Sequence, residues 1–286
     1  MLSRVSQTIV TLVTVALFIG AGVVPTYAQG RPVTEEFRLH ESFHSKFVPK
    51  DRDIIVWLPP GYKSETTKRY PVLYMHDGLS VFANWRLDET ALALISSQQI
   101  EPFILVCVAN GGTGEDRYDD YTPTRDAAYT KSGNADKYGR MLVEELKPFI
   151  DSQYRTLTDA ANTGLGGASL GGLVSLYLGL KYPATFGRLA VLSPSIWWDK
   201  GMILHEVKAF KSKPSSRIWL DVGTEEERGR TDVTRLLRDA LVAKGWVLDS
   251  DLFYFEAKGA HHDEEAFARR GGLFLKFLFP KRAGEK

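Results

Sequence analysis

Ser169 stands in the run Gly167-Ala168-Ser169-Leu170-Gly171-Gly172, set between a short apolar segment and a helical one. A serine between close glycines suits a sharp strand-to-helix turn. The glycines carry no Cβ where the backbone is strained and neighbouring chains press close, and the turn pushes the hydroxyl into a cleft. A serine hydroxyl is a weak nucleophile unless a base takes its proton, and the base in turn needs an acid to orient it. Two later segments offer those groups: Gly223-Thr224-Glu225-Glu226-Glu227, and Gly259-Ala260-His261-His262-Asp263. A histidine here titrates near neutrality, so it can take the proton and return it to a departing alcohol. The residues alone leave open which histidine and which of the three glutamates serve. The paired histidines also invite a metal reading, but no cysteine, third histidine or spaced carboxylate completes a zinc set around them.

The surrounding pattern places all three groups at one end of a sheet. Apolar runs at residues 37–43, 53–58, 71–76, 103–108, 188–192, 217–222 and 252–255, together with the run before Ser169, read as strands. Helical patterns occupy residues 87–98, 135–154, 170–182, 231–244 and 264–279, with Pro148 a kink in the second and Pro183 stopping the third. The helix after Ser169 is apolar nearly all round, which marks it as buried. Continuous apolar strands alternating with helices predict a mostly parallel central sheet with helices on both faces. Ligands of such sheets collect at the carboxyl ends of the strands, where Ser169, the glutamates and the histidines all fall. The order serine, acid, histidine is the one an α/β-hydrolase fold requires.

Composition bounds the rest. The chain has 286 residues, 44% of them hydrophobic and 25% charged, enough for one substantial core. With a net charge of +1, nothing suggests a nucleic acid or an anionic membrane surface as partner. The single cysteine, Cys107, lies in an apolar strand and reads as a buried thiol, and one cysteine permits no intrachain disulfide. Residues 1–28 read as a signal peptide: Arg4 gives a positive start, an apolar stretch of about 16 residues follows, and Thr26-Tyr27-Ala28 offers a cleavage site. That stretch is shorter than the ~20 residues a membrane-spanning helix needs. The expectation is therefore export to the periplasm or medium, with one hydrolase domain over residues 29–286 and no integral membrane association after cleavage.

The chain also resembles the putative-esterase family of α/β-hydrolases, which includes enterochelin esterases, feruloyl and acetylxylan esterases, S-formylglutathione hydrolases and mycolyltransferases. The likeness rests on Val56-Trp57-Leu58-Pro59-Pro60-Gly61-Tyr62, Arg69-Tyr70-Pro71-Val72-Leu73-Tyr74-Met75-His76-Asp77-Gly78, Asp120-Tyr121-Thr122-Pro123, the Ser169 segment, Ser193-Pro194-Ser195-Ile196-Trp197-Trp198 and Gly259-Ala260-His261-His262. It covers most of the chain beyond the signal segment and is closest to the exported enterochelin-esterase-like branch. The resemblance implies His262 as base, beside Asp263 and ahead of Phe267. It implies an acid three residues beyond Gly223, which selects Glu226 over Glu225; relatives often carry aspartate there, so glutamate is a departure. One oxyanion donor is the amide of Leu170, the residue after the serine. The resemblance places the other at Leu79, with Gly78 providing the bend, and has His76 and Asp77 tie that loop down.

The pocket is less defined by sequence. Residues 110–121, including Arg117 and Tyr121, follow the fourth strand, and Trp197 and Trp198 follow the strand after the serine helix. All four are candidates to contact substrate. His40, His44 and His205 read as ordinary structural or surface residues. The function expected is a serine carboxylesterase acting through an acyl-enzyme on Ser169, on a small-molecule or polymer-linked ester, with no cofactor. Its alternatives are a siderophore trilactone esterase, for which Arg117, Arg125 and Lys131 would supply a basic cleft, an acyltransferase on the same fold, and a non-catalytic binding protein.

Overall fold

The computed structural model describes residues 36–281, so the signal segment expected over residues 1–28 lies outside the described residues. Eight strands form one sheet: β1 (Phe37–Phe43), β2 (Arg52–Trp57), β3 (Val72–Met75), β4 (Ile104–Val108), β5 (Thr163–Ala168), β6 (Arg188–Leu192), β7 (Arg217–Gly223) and β8 (Leu252–Ala257). Their spatial order is β1-β2-β4-β3-β5-β6-β7-β8. β2 runs antiparallel to both neighbours, and every other pairing is parallel. This is the mostly parallel sheet of an α/β-hydrolase.

Alternation along each strand builds two cores. Ile54, Val56, Val72, Tyr74, Ile104 and Val106 point to one face, and Ile55, Trp57, Leu73, Met75, Leu105 and Cys107 to the other. Over the first face lie α4 (Ala135–Arg140), α5 (Lys147–Gln153), α6 (Leu170–Lys181), α7 (Met202–Ala209) and α8 (Arg230–Ala243). The second is covered by α2 (Leu87–Ser96) and α9 (Glu264–Leu278). Burial of strands on both faces is why they read as continuous apolar runs. Cys107 is a buried strand thiol.

Three differences from the sequence pattern have local causes. The segment expected as one kinked helix over residues 135–154 is continuous, but its ladder widens to a π-turn over Met141–Leu146 immediately before Pro148. Proline lacks the N–H that the ladder needs at that point. A short helix, α1 (Gly78–Ser80), runs into a further π-turn at Val81–Trp85. The loop after β4 holds a helix, α3 (Gly114–Tyr121), whose N-cap Thr113 accepts from the Asp116 amide at 3.1 Å. Its polar sequence carries too weak an apolar period to announce it.

Candidate active site

β5 ends at Ala168 and α6 begins at Leu170, so Ser169 alone makes the turn, at φ 60° and ψ −119°. That backbone is strained for a residue with a Cβ. Its amide donates to Leu192 O at 3.0 Å, which fixes the turn against β6. A Cβ on Gly167 would come within 3.0 Å of Gly171 Cα, so the crossing of strand and helix requires the glycine. The Ser169 hydroxyl lies 3.2 Å from that of Ser195, a buried residue whose amide donates to Ser169 O.

Beyond β7 the chain turns at Thr224, and only Glu226 of the three glutamates folds back under the site. Glu226 Oε2 accepts from His262 Nδ1 at 2.8 Å, and its side chain is 1% exposed. Gly223 N donates to the other oxygen at 2.7 Å, and Ser193 Oγ donates to the same atom. Burial pushes this carboxyl up, but hydrogen bonds from His262, Ser193 and Gly223 outweigh it and hold Glu226 below the ordinary glutamate value. An ionised carboxylate only accepts, so His262 Nδ1 carries the proton and Nε2 presents a lone pair. Phe267 meets the His262 ring edge-on, with centroids 5.1 Å apart. Glu225 and Glu227 are exposed; Glu225 contributes its carbonyl to His261 Nδ1 at 3.1 Å, and Glu227 pairs with Arg230.

The loop after β3 completes the site. Asp77 adopts φ 54° and caps α1, and a Cβ on Gly78 would strike the Cys107 carbonyl carbon at 2.4 Å, so only glycine fits between this loop and β4. Arg117 donates from Nε and Nη2 to Asp77, each at 2.8 Å to its nearer oxygen, and Asn110 Nδ2 donates to Asp77 Oδ1 at 3.0 Å. The Asp77 amide donates to the hydroxyl of Tyr121, and His76 Nδ1 lies 2.8 Å from the Tyr138 hydroxyl. His76 and Asp77 thus tie the loop down. Glu264 Oε2 accepts from Ser80 Oγ at 2.6 Å and from Trp85 Nε1, joining the same loop to the start of α9.

Ser169 and His262 open on one cavity of about 570 Å³, lined also by Leu79, Trp85, Arg117 and Phe267. Tyr121 and Trp198 do not line it. Both are fully buried, Tyr121 behind Asp77 and Trp198 with its indole donating to Thr124. Their position after a strand's carboxyl end suggests substrate contact, but Tyr121 supports the wall from behind through Asp77, and Trp198 packs against Tyr118 and Tyr129 outside the lining. Trp197 is exposed outside this lining, with Arg230 over its ring. Trp85, Phe267 and Ser195, to which the sequence reading gave no role at the site, all follow β3, β8 or β6 at the same edge, and that placement was the available signal. Among the described residues no group of three or more His, Cys, Asp or Glu is placed to hold a metal ion.

The family model described as putative esterase matches residues 45–270. The chain belongs to the putative esterase family. As an esterase it stands among carboxylic ester hydrolases. The iron(III) enterobactin esterase of Escherichia coli is 26% identical over 215 residues, which are 73% of this chain and 49% of the relative's length. An endo-1,4-β-xylanase/feruloyl esterase of Xylanibacter ruminicola is 29% identical over 168 residues, 53% of this chain and 21% of the relative. The fold matches the crystal structure of the BES protein from Bacillus cereus with a TM-score of 0.72 at 24% identity, covering 87% of this esterase and 97% of that chain.

Proposed function

We propose that this esterase cleaves its substrate by a serine mechanism, with Ser169 as nucleophile, His262 as general base and acid, and Glu226 as the acid that orients His262. The observation that carries the reading is the 2.8 Å contact of His262 Nδ1 with the buried Glu226 at a cavity onto which Ser169 also opens. Ser169 Oγ attacks the ester carbonyl carbon as His262 Nε2 takes its proton, and Glu226 stabilises the imidazolium. The tetrahedral oxyanion is received by the amides of Leu170 and Leu79. Leu170 begins α6, where N–H groups lack intrahelical acceptors and the helix dipole favours negative charge, and Leu79 lies in the short turn α1 beside it. Collapse expels the alcohol, protonated by His262, and leaves an acyl-enzyme. Water activated by the same histidine then releases the carboxylic acid.

The lining favours an uncharged ester with an apolar or aromatic group. Leu79, Trp85, Ala168 and Phe267 supply apolar surface, while Asp263 and Glu264 stand at the cavity wall and Arg117 is neutralised by Asp77. Lys131, another cation considered for a basic cleft, is paired with Asp116. The carboxylates at the cavity wall would repel a polyanionic ferric complex and would not repel a neutral aryl or feruloyl ester. The enterobactin esterase relative supports siderophore ester hydrolysis as the second reading.

Purified protein assayed on 4-nitrophenyl acetate, a feruloyl ester and ferric enterobactin separates these readings. Ser169→Ala and His262→Ala are each expected to lower kcat by about a thousandfold or more with unchanged circular dichroism. A Ser169→Ala enzyme as fast as wild type would remove the serine mechanism. A Ser169-dependent rate far higher on ferric enterobactin than on the neutral esters would replace the first substrate class by the second.

A further inference from the structure

Ser193 follows the last residue of β6, and the reaction described above gives it no part. Its backbone lies at φ 40°, a left-handed conformation that strains any residue with a Cβ and that glycine would adopt freely. The side chain is 2% exposed and fully engaged. Arg270 Nη1, from α9, donates into Ser193 Oγ at 3.2 Å. A hydroxyl has one proton to give, so a cation at its lone pair turns that proton toward the nearest acceptor, Glu226 Oε1. With the Gly223 amide on the same oxygen, Oε1 is occupied and Oε2 is left for His262.

Arg270 is held in turn. Asp221 Oδ1 accepts from Arg270 Nη1 at 2.7 Å and from the Ser193 amide at 3.1 Å, and Asp221 Oδ2 accepts from Trp219 Nε1 at 2.7 Å. Both members of the ion pair are sealed from solvent, with side-chain exposures of 3% and 0%. A chain of oriented donors therefore runs from Trp219 and Arg270 through Ser193 to the carboxylate behind His262.

We propose that Ser193 is a positioning residue of the esterase: oriented by the Arg270–Asp221 pair, its hydroxyl fixes Glu226 Oε1 so that Oε2 alone faces His262. The inference rests on the reading of Ser169, His262 and Glu226 as a triad. Of the charged groups around Glu226, His262 before α9 contacts it directly, Asp221 on β7 interacts with it, and Arg270 on α9 reaches it through Ser193. Those sharing the cavity with His262 are Asp77, Arg117, Asp263 and Glu264. Removing the Ser193 hydroxyl takes a donor from Glu226 and severs its link to the Arg270 charge. More negative charge then rests on Oε2, the imidazolium is better stabilised, and the enzyme stays in its protonated, inactive form to a higher pH.

The test compares Ser193→Ala and Ser193→Gly with wild type, Ser169→Ala and Glu226→Gln, following 4-nitrophenyl acetate hydrolysis from about pH 5 to pH 9. Both Ser193 variants are expected to lose about tenfold in kcat, with KM within about twofold, and to move the acid limb of kcat/KM upward by about half a pH unit. Glycine relieves the backbone strain, so an intact thermal transition in that variant separates the loss of the hydroxyl from misfolding. If Ser193→Gly restores the wild-type rate and profile, or both variants match wild type while Ser169→Ala is inactive, Ser193 does not position Glu226. If Ser169→Ala itself keeps the wild-type rate, the triad reading fails instead.

Discussion

Two aspartate–arginine pairs flank Ser169, built from the same chemistry and placed in opposite surroundings. Asp77 and Arg117 border the cavity with side chains 18% and 26% exposed, while Asp221 and Arg270 lie behind Glu226 with 0% and 3% exposed. Asp77 also has Asn110 as donor, and Arg117 reaches the Ala168 carbonyl at 3.3 Å, so the open pair ties the Leu79 loop to the end of β5. Burial pushes the Asp221 carboxyl up to about 6, against the pull of Arg270, the Trp219 indole and the Ser193 amide. Water can take over part of what a lost partner did at the open pair. It cannot reach the sealed one, where each charge depends on the other. The first pair therefore braces a loop at the cavity, and the second supports the fold behind Glu226 as well as holding Ser193.

The comparison is broken most directly at Arg270. Arg270→Met leaves Asp221 buried and unpaired, which is expected to cost about 3–5 kcal/mol of stability and to be seen as a lower urea midpoint. A loss below about 1 kcal/mol would show that the sealed pair is dispensable. Arg117→Met is expected to cost less stability. Stability falls by about 1 kcal/mol, while kcat/KM falls about tenfold or more as the Leu79 loop loses its tether. A variant that unfolds instead would make the two pairs equivalent.

A further effect is read through pH at His76, which packs beside the open pair. Burial drives His76 down to about 3. The unfolded chain binds that proton near pH 6.5, so between about 6.5 and 3 it holds more protons than the native state, and stability rises with pH. The stabilisation is present above pH 6.5 and is lost on acidification, by up to about 2 kcal/mol at pH 5. Asp120 and Asp221, both pushed up to about 6, run the other way in that range. The measurement is therefore the difference between wild type and His76→Gln in thermal midpoints at pH 7 and pH 5, where the variant should show a flatter loss. Equal losses would remove His76 as a source of acid sensitivity.

Legibility in the sequence followed the range of the interactions involved. Strand end, turn and helix start at Ser169 fall within six residues, so glycine spacing and the apolar helix behind it identify the turn without knowledge of what packs around it. The alternation that divides β2 and β3 between two cores is equally local. Helix α3 was missed because its start is set by one cap, Thr113, and its face is polar. Tyr121 and Trp198 were read as pocket residues because their position after a strand gives the end of the sheet and not the direction of the side chain.

The sequence by itself determined the fold class, the tight turn at Ser169 and the order of the three loops, since each is written in contiguous residues. Which glutamate faces which histidine was decided only in three dimensions. Residues 225–227 are chemically alike and adjacent, and their directions depend on where Gly223 and Ser193 place donors for a returning carboxylate. The same holds for the two aspartate–arginine pairs. Asp77 and Arg117 are separated by 40 residues and Asp221 and Arg270 by 49, and only the packing of the sheet against its helices leaves one pair wet and the other dry.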